Sequence, residues 1–353
     1  MVVELYYVLY NKDFEAIGKR KTYQVSSWSY KRKAFEFSEL DIEGSPIETL
    51  VGACYVGLHE DRGTVKAIMY SGVPKTEKGK TVINAVDVRQ LLNCDAVIDL
   101  TTVDSVSNLY TYLLSRIVEE YSNLGANIAI DTSELEINPI NFNEDAIERT
   151  RAKGNVWKTL QAVNAIYDCY IDVIVNLNGK TITFKVIRIK NEIKIKLSDF
   201  DLPKIKNDFT SVNRVICLDQ AYVDGTSNEN KVTYYLLSDD TVVSESEVLS
   251  VMDKVIYPPR MKVFVDEDIN KAKAQGIQEL YKNRFKANVE LSKSSKMGYL
   301  LDRIEDLSWK AHIYGFNSSD NLTYKTLPVM EISEDEKGMR KVKFGRLEEY
   351  WWL

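Results

Sequence analysis

The clearest alternation of apolar and polar residues lies between Asn155 and Lys190, where a helical period is followed by a strand period. Apolar residues recur at helical spacing from Val156 to Tyr167, and Asn155 in front of them is a good N-cap. From Cys169 to Asn176 the residues alternate as in a half-buried strand. Asn178-Gly179 then gives the strongest short signal for a hairpin with a type I′ turn. The pattern therefore predicts one helix followed by one β-hairpin.

The same turn predicts the register of the hairpin. The pairs that fall on the face toward the helix are all apolar: Val175 with Ile182, Val173 with Phe184, and Ile171 with Val186. On the other face Asp172 lies opposite Lys185, an opposite-charge pair at a solvated position. This outer face also carries Tyr170. The hairpin pattern therefore predicts a fold element, and it contains no group of catalytic residues.

The rest of the pattern divides the chain into three parts. Residues 1–98 show short strands with turn signals about every ten residues, which predicts a small barrel or sandwich. Residues 99–205 contain a long amphipathic helix from Val106 to Tyr121, a short strand and the helix-hairpin unit, which predicts an α+β domain. Strands return in residues 206–353, around one helix with acidic residues at its start and basic residues at its end.

Composition excludes several function classes. A net charge of −6 argues against a nucleic-acid-binding protein, which would carry a basic stripe. The four cysteines show no metal-binding spacing and are expected to be free thiols. The N-terminal apolar run contains Glu4 and has no basic segment, so we expect a strand and not a signal peptide. No apolar run is long enough to predict a membrane span.

Candidate chemistry is sparse. His59, expected in a surface turn, and His312, expected on a strand, are the two histidines, and neither predicts a metal or catalytic site. Gly79-Lys80-Thr81 lacks the first glycine of a phosphate-binding loop and lies between two predicted strands, so we expect a hairpin tip. No pair stands out among the 52 acidic residues. The sequence predicts no catalytic residue, no cofactor and no metal.

The segment from Glu348 to Leu353 is unusual because it contains two adjacent tryptophans. Tyr350, Trp351 and Trp352 would expose a large apolar patch unless they docked on the chain's own core or on a partner subunit. They are candidate interface residues.

Several stretches, taken in order, resemble one protein family. Tyr23 to Tyr30 is similar to the family's strand with a tryptophan before a basic segment, and Phe35 to Phe37 stands where the family has an aromatic-acidic-hydrophobic strand. Gly63 to Ile68 with Lys80 to Ala85 resembles its hairpin, and Val88 to Leu92 resembles its Leu-Leu turn. Leu160 to Val186 matches its helix-hairpin unit, and Lys262 to Asp266 resembles the strand before its third helix. This order resembles the tail hub, or baseplate hub, proteins of siphophages of Gram-positive hosts. The chain resembles the form without a lysin extension. It departs from the family at Ala34, at Asp87-Val88 and over much of residues 322–353.

The resemblance implies a mainly β fold with an α+β insertion: two small β-barrel domains and an inserted helix-plus-sheet domain. Residues 1–98 would form the first barrel, completed by part of 206–250. Residues 99–205 would be the insertion, and 206–353 would hold the second barrel and a C-terminal domain. The outer hairpin face, with Tyr170, Asp172 and Lys185, becomes a candidate subunit contact.

The resemblance also implies a non-enzymatic structural role. Such hubs are homotrimers that form a ring between the distal tail protein and the tip or spike, and the ring surrounds or closes the DNA channel. The expected partners are the distal tail protein, the tape-measure protein and tail-tip or receptor-binding proteins, with passive DNA contact during ejection. The expected location is the virion tail tip, after synthesis in the bacterial host cytoplasm.

Three alternatives stay open. The hub of a contractile injection or bacteriocin-like particle would share the fold and differ in partners. A tail-associated cell-wall hydrolase would use carboxylates from anywhere in the chain. A carbohydrate-binding β-module would present surface tyrosine and tryptophan as its platform.

Overall fold

The computed structural model describes most of the chain. It covers residues 4–18, 22–47, 52–60, 64–101, 103, 109–115, 129–131, 151–200, 204–208, 212–226, 230–284, 286–292, 298–315 and 324–347. Strands predominate in these ranges, which confirms the mainly β, multidomain fold with an α+β insertion.

The N-terminal part is a closed barrel. Its strands are β1 (Leu5–Tyr10), β2 (Ala16–Ile17), β3 (Tyr23–Lys33), β4 (Glu39–Gly44), β5 (Tyr55–Glu60), β6 (Thr64–Ser71), β7 (Lys75–Glu77) and β8 (Lys80–Val86). Six of them follow one another around a ring in the order β3-β4-β8-β6-β5-β1, and β1 pairs back onto β3 at Tyr7 and Tyr23. The barrel interior is apolar and includes Leu9, Leu40 and Ile83.

Two expectations for this barrel are wrong. Strands of residues 1–98 close it by themselves. The strands described between Arg214 and Ser244 lie in a separate sheet, and the strand that ends at Asp208 pairs with residues 286–290 outside the barrel. β3 is long enough to pair with β1 at its start and with a C-terminal strand at its end. Phe35 to Phe37 is not a strand: the chain turns there and returns as β4, with Phe35 buried in a neighbouring core.

The inserted unit follows the barrel. A short 3-10 helix (Val88–Leu92) leads into β9 (Asp95–Asp99), helical residues 109–115 (α1), β10 (Ala129–Asp131), β11 (Arg151–Asn155), α2 (Val156–Tyr167), β12 (Cys169–Asn176) and β13 (Thr181–Arg188). Leu109, Tyr110 and Leu113 on the described part of α1 are buried, as predicted, while Val106 and Tyr121 lie outside the described residues. The sheet has the order β10-β13-β12 and packs its apolar face on α2.

The predicted hairpin register is confirmed at each apolar pair and at Asp172 opposite Lys185. The predicted type I′ turn is wrong. β12 and β13 are joined by four residues, Lys180 has the left-handed φ of 49°, and Gly179 does not. The Asn176 side chain accepts a hydrogen bond from Gly179 N at 2.8 Å. The longer loop has the same centre as the predicted turn, so the register is unchanged.

The remaining elements follow in the order β14 (Asn191–Lys196), β15 (Lys204–Asp208), β16 (Arg214–Asp219), α3 (Gln220–Val223), β17 (Lys231–Leu236), β18 (Val242–Ser244), α4 (Glu245–Val248), β19 (Met261–Asp266), α5 (Ile269–Lys282), β20 (Lys286–Ser292), β21 (Trp309–Tyr314), β22 (Tyr324–Asp335) and β23 (Arg340–Phe344). Short 3-10 helices lie at Leu197–Asp199, Leu249–Lys254 and Gly298–Arg303.

A second six-stranded unit has the order β15-β20-β23-β22-β21-β14 around one apolar core. Its strand β22 also pairs with β3, so the unit and the barrel share a continuous sheet. β14 and β15 come from residues that were predicted to lie mainly in the inserted domain. They belong here because they pair with β21 and β20.

Residues 214–282 form a smaller mixed sheet of order β18-β17-β16-β19, with α5 packed on one face. Gly276 of α5 lies where a Cβ would be 2.7 Å from Cys217 Sγ, so the close approach of helix and sheet requires glycine. This unit is not part of a barrel.

Candidate functional site: the domain junction and its cleft

A buried arginine forms the junction between the barrel and the inserted unit. Asp87 caps the 3-10 helix that follows β8, and its carboxylate accepts from Arg89 N at 2.8 Å and from Ser38 N at 2.6 Å. The Arg89 side chain folds back onto the same carboxylate, with Nη2 at 2.6 Å and Nε at 2.9 Å. The Arg89 side chain is 3% exposed.

The rest of the Arg89 guanidinium binds backbone from both units. It donates to the carbonyls of Lys33 at 2.7 Å and Glu36 at 2.8 Å in the barrel, and to Ile171 at 3.0 Å on β12. The guanidinium carbon, Cζ, lies 5.6 Å from the centroid of the Trp157 ring of α2. A charge-assisted network therefore fixes the inserted unit against the barrel.

A second ionic cluster lies at the end of α2. Asp168 is the C-cap and has a left-handed φ of 50°. Its carboxylate lies 2.5 Å from Arg346 Nη1 and 3.4 Å from Arg284 Nη1. Burial opposes ionisation of this carboxyl, but the charges of Arg346 and Arg284 outweigh burial and lower the pKa of Asp168. Because Arg284 follows α5 and Arg346 follows β23, the cluster joins three units.

A cleft of about 310 Å³ opens beside Arg89, between the barrel and the inserted unit. Residues 65–69 of β6 line one wall and residues 170–175 of β12 line the other. Tyr30 and Arg32 of β3 complete it. Both walls are strand edges: β6 pairs with β8 only at Tyr70 and Ser71, and among the described strands β12 pairs with β13 alone.

Three polar side chains of the cleft have shifted pKa values. Burial raises the pKa of Asp172, against the smaller opposing effects of a backbone hydrogen bond from Val173 and the charges of Arg89 and Arg32. Burial raises the pKa of Tyr30 to about 12 and that of Tyr170 further. Within the described part of the chain, Asp172 has no ion-pair partner.

The structure separates the predicted interface residues. Tyr170 is 3% exposed and packs in the core of the second six-stranded unit, so its place on a free outer face is wrong. The hairpin base is covered on both faces, by α2 and by that core. Asp172 faces the cleft, and Lys185 is partly buried beside it in the register. Tyr350, Trp351 and Trp352 lie outside the described residues.

The two histidines have ordinary structural surroundings. His59 lies on β5 instead of a turn, and its Nε2 is 3.0 Å from the Tyr10 hydroxyl. Burial lowers the pKa of His59. His312 lies on β21, as predicted, and contacts Thr326 and Glu192. The residues that the structure describes contain no cluster of His, Cys, Asp or Glu suited to a metal ion.

The junction residues and one exposed apolar surface were not predicted from the sequence. Arg89 and Asp87 lie two positions apart in a short turn, a spacing without a specific signal. Met261, Val263 and Val265 on the edge strand β19 are 57%, 52% and 42% exposed. Their alternation predicts a strand, but it does not show that one face of that strand is uncovered.

The comparisons with known proteins bear on the whole fold. No protein-family model and no curated protein matches the chain. The prophage tail protein gp18 of Listeria monocytogenes EGD-e matches with a TM-score of 0.53 and 9% identity, over 98% of this chain and 95% of that one. A tail protein of Neisseria meningitidis MC58 matches with a TM-score of 0.52 and 13% identity, over 99% and 98%. The chain has a phage tail protein fold.

This phage tail protein fold confirms the fold that the family resemblance implies. At such identities the likeness establishes the fold alone. No helix among the described residues of this chain combines the length and the apolar character that a membrane span requires.

Proposed function

We propose that the protein is a non-enzymatic structural hub of a phage tail tip or baseplate. The observation that carries this proposal is a fold shared with two tail proteins. The shared fold extends over almost the full length of this chain and of each of those proteins. A fold common to whole chains supports a shared architectural role more strongly than a common small domain would.

The geometry supports a ring. Each chain contributes two six-stranded β units, and β3 and β22 join them edge to edge. Three copies would bring six such units around one axis, which would match a sixfold tail component. In the proposed assembly the ring joins the distal tail protein to the tip or spike and surrounds the DNA channel. The tape-measure protein would contact the same ring.

We assign the contacts between subunits to the segment with Tyr350, Trp351 and Trp352 and to the hairpin surface at Lys185. Aromatic side chains are favoured anchors of protein interfaces because they bury a large area with few rotatable bonds.

The test is the solution mass of the purified chain, measured by light scattering, alone and mixed with the distal tail protein from the same genome. We expect a mass about three times the 40.5 kDa of one chain, and rings by negative-stain microscopy. A monomer under both conditions would contradict the proposal.

The subunit contact is tested by Trp351→Ser combined with Trp352→Ser. We expect this double variant to lose the trimer and keep the circular dichroism spectrum of the wild type. Tyr299→Ser removes an aromatic side chain that is 59% exposed elsewhere, and this matched control should remain trimeric.

A further inference from the structure

The cleft beside Arg89 lies between the edges of two strands, β12 and β6. The carbonyl of Ile171 accepts from Arg89 at 3.0 Å, so this edge of β12 points away from β13. Every second residue of a strand offers its N–H and C=O to the same edge, so Val173 and Val175 point there too. The backbone N–H of Val173 already donates to the Asp172 carboxylate. On the opposite wall, residues 65–69 of β6 lie beyond the short pairing of β6 with β8.

The size of the cleft fits an extended peptide. In a sheet, one residue occupies roughly 4.8 Å between strands, 3.3 Å along the strand and 10 Å across the layer, or about 160 Å³. A volume of about 310 Å³ therefore holds about two residues of a guest strand. Residues on either side of these two would lie along the β12 edge outside the cleft.

One side chain of the cleft is suited to a cation. Among the described residues, Asp172 is the acidic group of the cleft without an ion-pair partner, since Asp87 is neutralised by Arg89. The basic groups of the cleft have carboxylates of their own: Arg32 lies 3.9 Å from Glu334, and Lys66 lies 3.6 Å from Glu60 and from Glu334. Tyr30 also lines the cleft and is only partly buried. A carboxylate near a tyrosine ring provides both a counter-charge and an aromatic surface for an ammonium or guanidinium group.

We propose that this cleft is a docking site for an extended segment of a partner protein that carries an arginine or lysine. The backbone of the segment adds to the edges of β12 and β6, and its basic side chain binds Asp172 near Tyr30. Backbone pairing supplies affinity in this mode of recognition, and the side-chain pocket supplies specificity. The site lies within one chain, so it does not depend on the proposed trimer.

The experiment uses the full chain and a fluorescein-labelled, amidated peptide, Thr-Val-Arg-Val-Thr, followed by fluorescence anisotropy. A second peptide has norleucine in place of arginine, and butylguanidinium serves as a competitor without a backbone. We expect the arginine peptide to bind with Kd below about 1 mM and the norleucine peptide at least about tenfold more weakly. Butylguanidinium should compete only at much higher concentration.

Two variants locate the binding. Asp172→Asn should weaken the arginine peptide to the level of the norleucine peptide, whereas Asp253→Asn, at an exposed position, should bind like the wild type. The melting temperature of each variant shows whether it is folded.

Any of four results would overturn the proposal. They are the absence of binding by the arginine peptide, equal binding of the two peptides, full binding by Asp172→Asn, and competition by butylguanidinium at the concentration of the peptide itself.

Discussion

At the scale of single residues, the junction depends on one buried ion pair. The side chains of Arg89 and Asp87 are 3% and 7% exposed. A buried pair is stable only when the other hydrogen-bonding positions are also filled. The carbonyls of Lys33, Glu36 and Ile171 fill those positions on the guanidinium. Removing one partner would leave the other charge buried and unpaired.

Arg89→Met should therefore destabilise the protein by about 3 to 5 kcal/mol, since it leaves the Asp87 carboxylate without its counter-charge. Urea unfolding followed by tryptophan fluorescence measures the loss as a lower midpoint. Lys80→Met breaks an exposed pair with Glu43, in which the side chains are 51% and 45% exposed, and should move the midpoint little. Equal shifts of the urea midpoint for the two variants would show that burial of the Arg89 pair does not increase its contribution to stability.

A second prediction at this scale concerns Asp172. Its folded pKa is raised above the ordinary value of 3.8, so the folded state holds this proton more tightly than the unfolded state. The stability contributed by this group is complete below pH 3.8 and is lost as the pH rises through the folded pKa. Asp172→Asn should thus melt at a higher temperature than the wild type at pH 8, and the difference should shrink toward pH 4. Scanning fluorimetry across this range checks the sign, and a destabilised variant at pH 8 would contradict it.

At the scale of elements, the hairpin shows how much a local pattern can determine. The alternation in β12 and β13 predicted every pair of the register correctly, because a slip of one residue would bury Asp172 and Lys185 against α2. The predicted type I′ turn was wrong because Asn178-Gly179 is also compatible with a longer loop that is centred on the same two residues. The left-handed residue in that loop is Lys180, which has a φ of 49°.

Lys180→Gly tests this turn. Glycine adopts a left-handed φ without the cost of roughly 1 to 2 kcal/mol that other residues incur, so this variant should be as stable as the wild type or more stable. The exposed contact of Lys180 with Glu15, at 3.8 Å, should contribute little. A type I′ turn would instead make Gly179→Ala strongly destabilising, whereas here the added Cβ meets only the flexible Asn176 side chain. Thermal melts of the two variants distinguish the two turns.

At the scale of the whole molecule, the pairing between distant strands could not be predicted from the local pattern of apolar and polar residues. The sequence predicted short strands in residues 1–98, but the closure of the barrel depends on β1 meeting β3, and the joining of the two six-stranded units depends on β3 meeting β22. About 300 residues separate the two partners in the second case. Alternation determines which face of a strand is buried, while its neighbour depends on the packing of the entire chain. Arg89 and the cleft were unpredictable for the same reason, since their partners come from β3, β12 and the turn before β4.

The charge of the whole molecule leads to a final prediction about DNA. Each chain carries −6, so a trimer would carry three times that, or −18. A binding wall for DNA would need clustered lysine and arginine to release counterions from the phosphates. A hub that surrounds a channel should instead let DNA pass without retention. In a gel-shift assay at about 0.1 M salt, where charges are screened beyond roughly 10 Å, the protein should leave linear double-stranded DNA unshifted. The same chain carrying a hexalysine tag should shift it, and a shift by the untagged protein would contradict a passive channel wall.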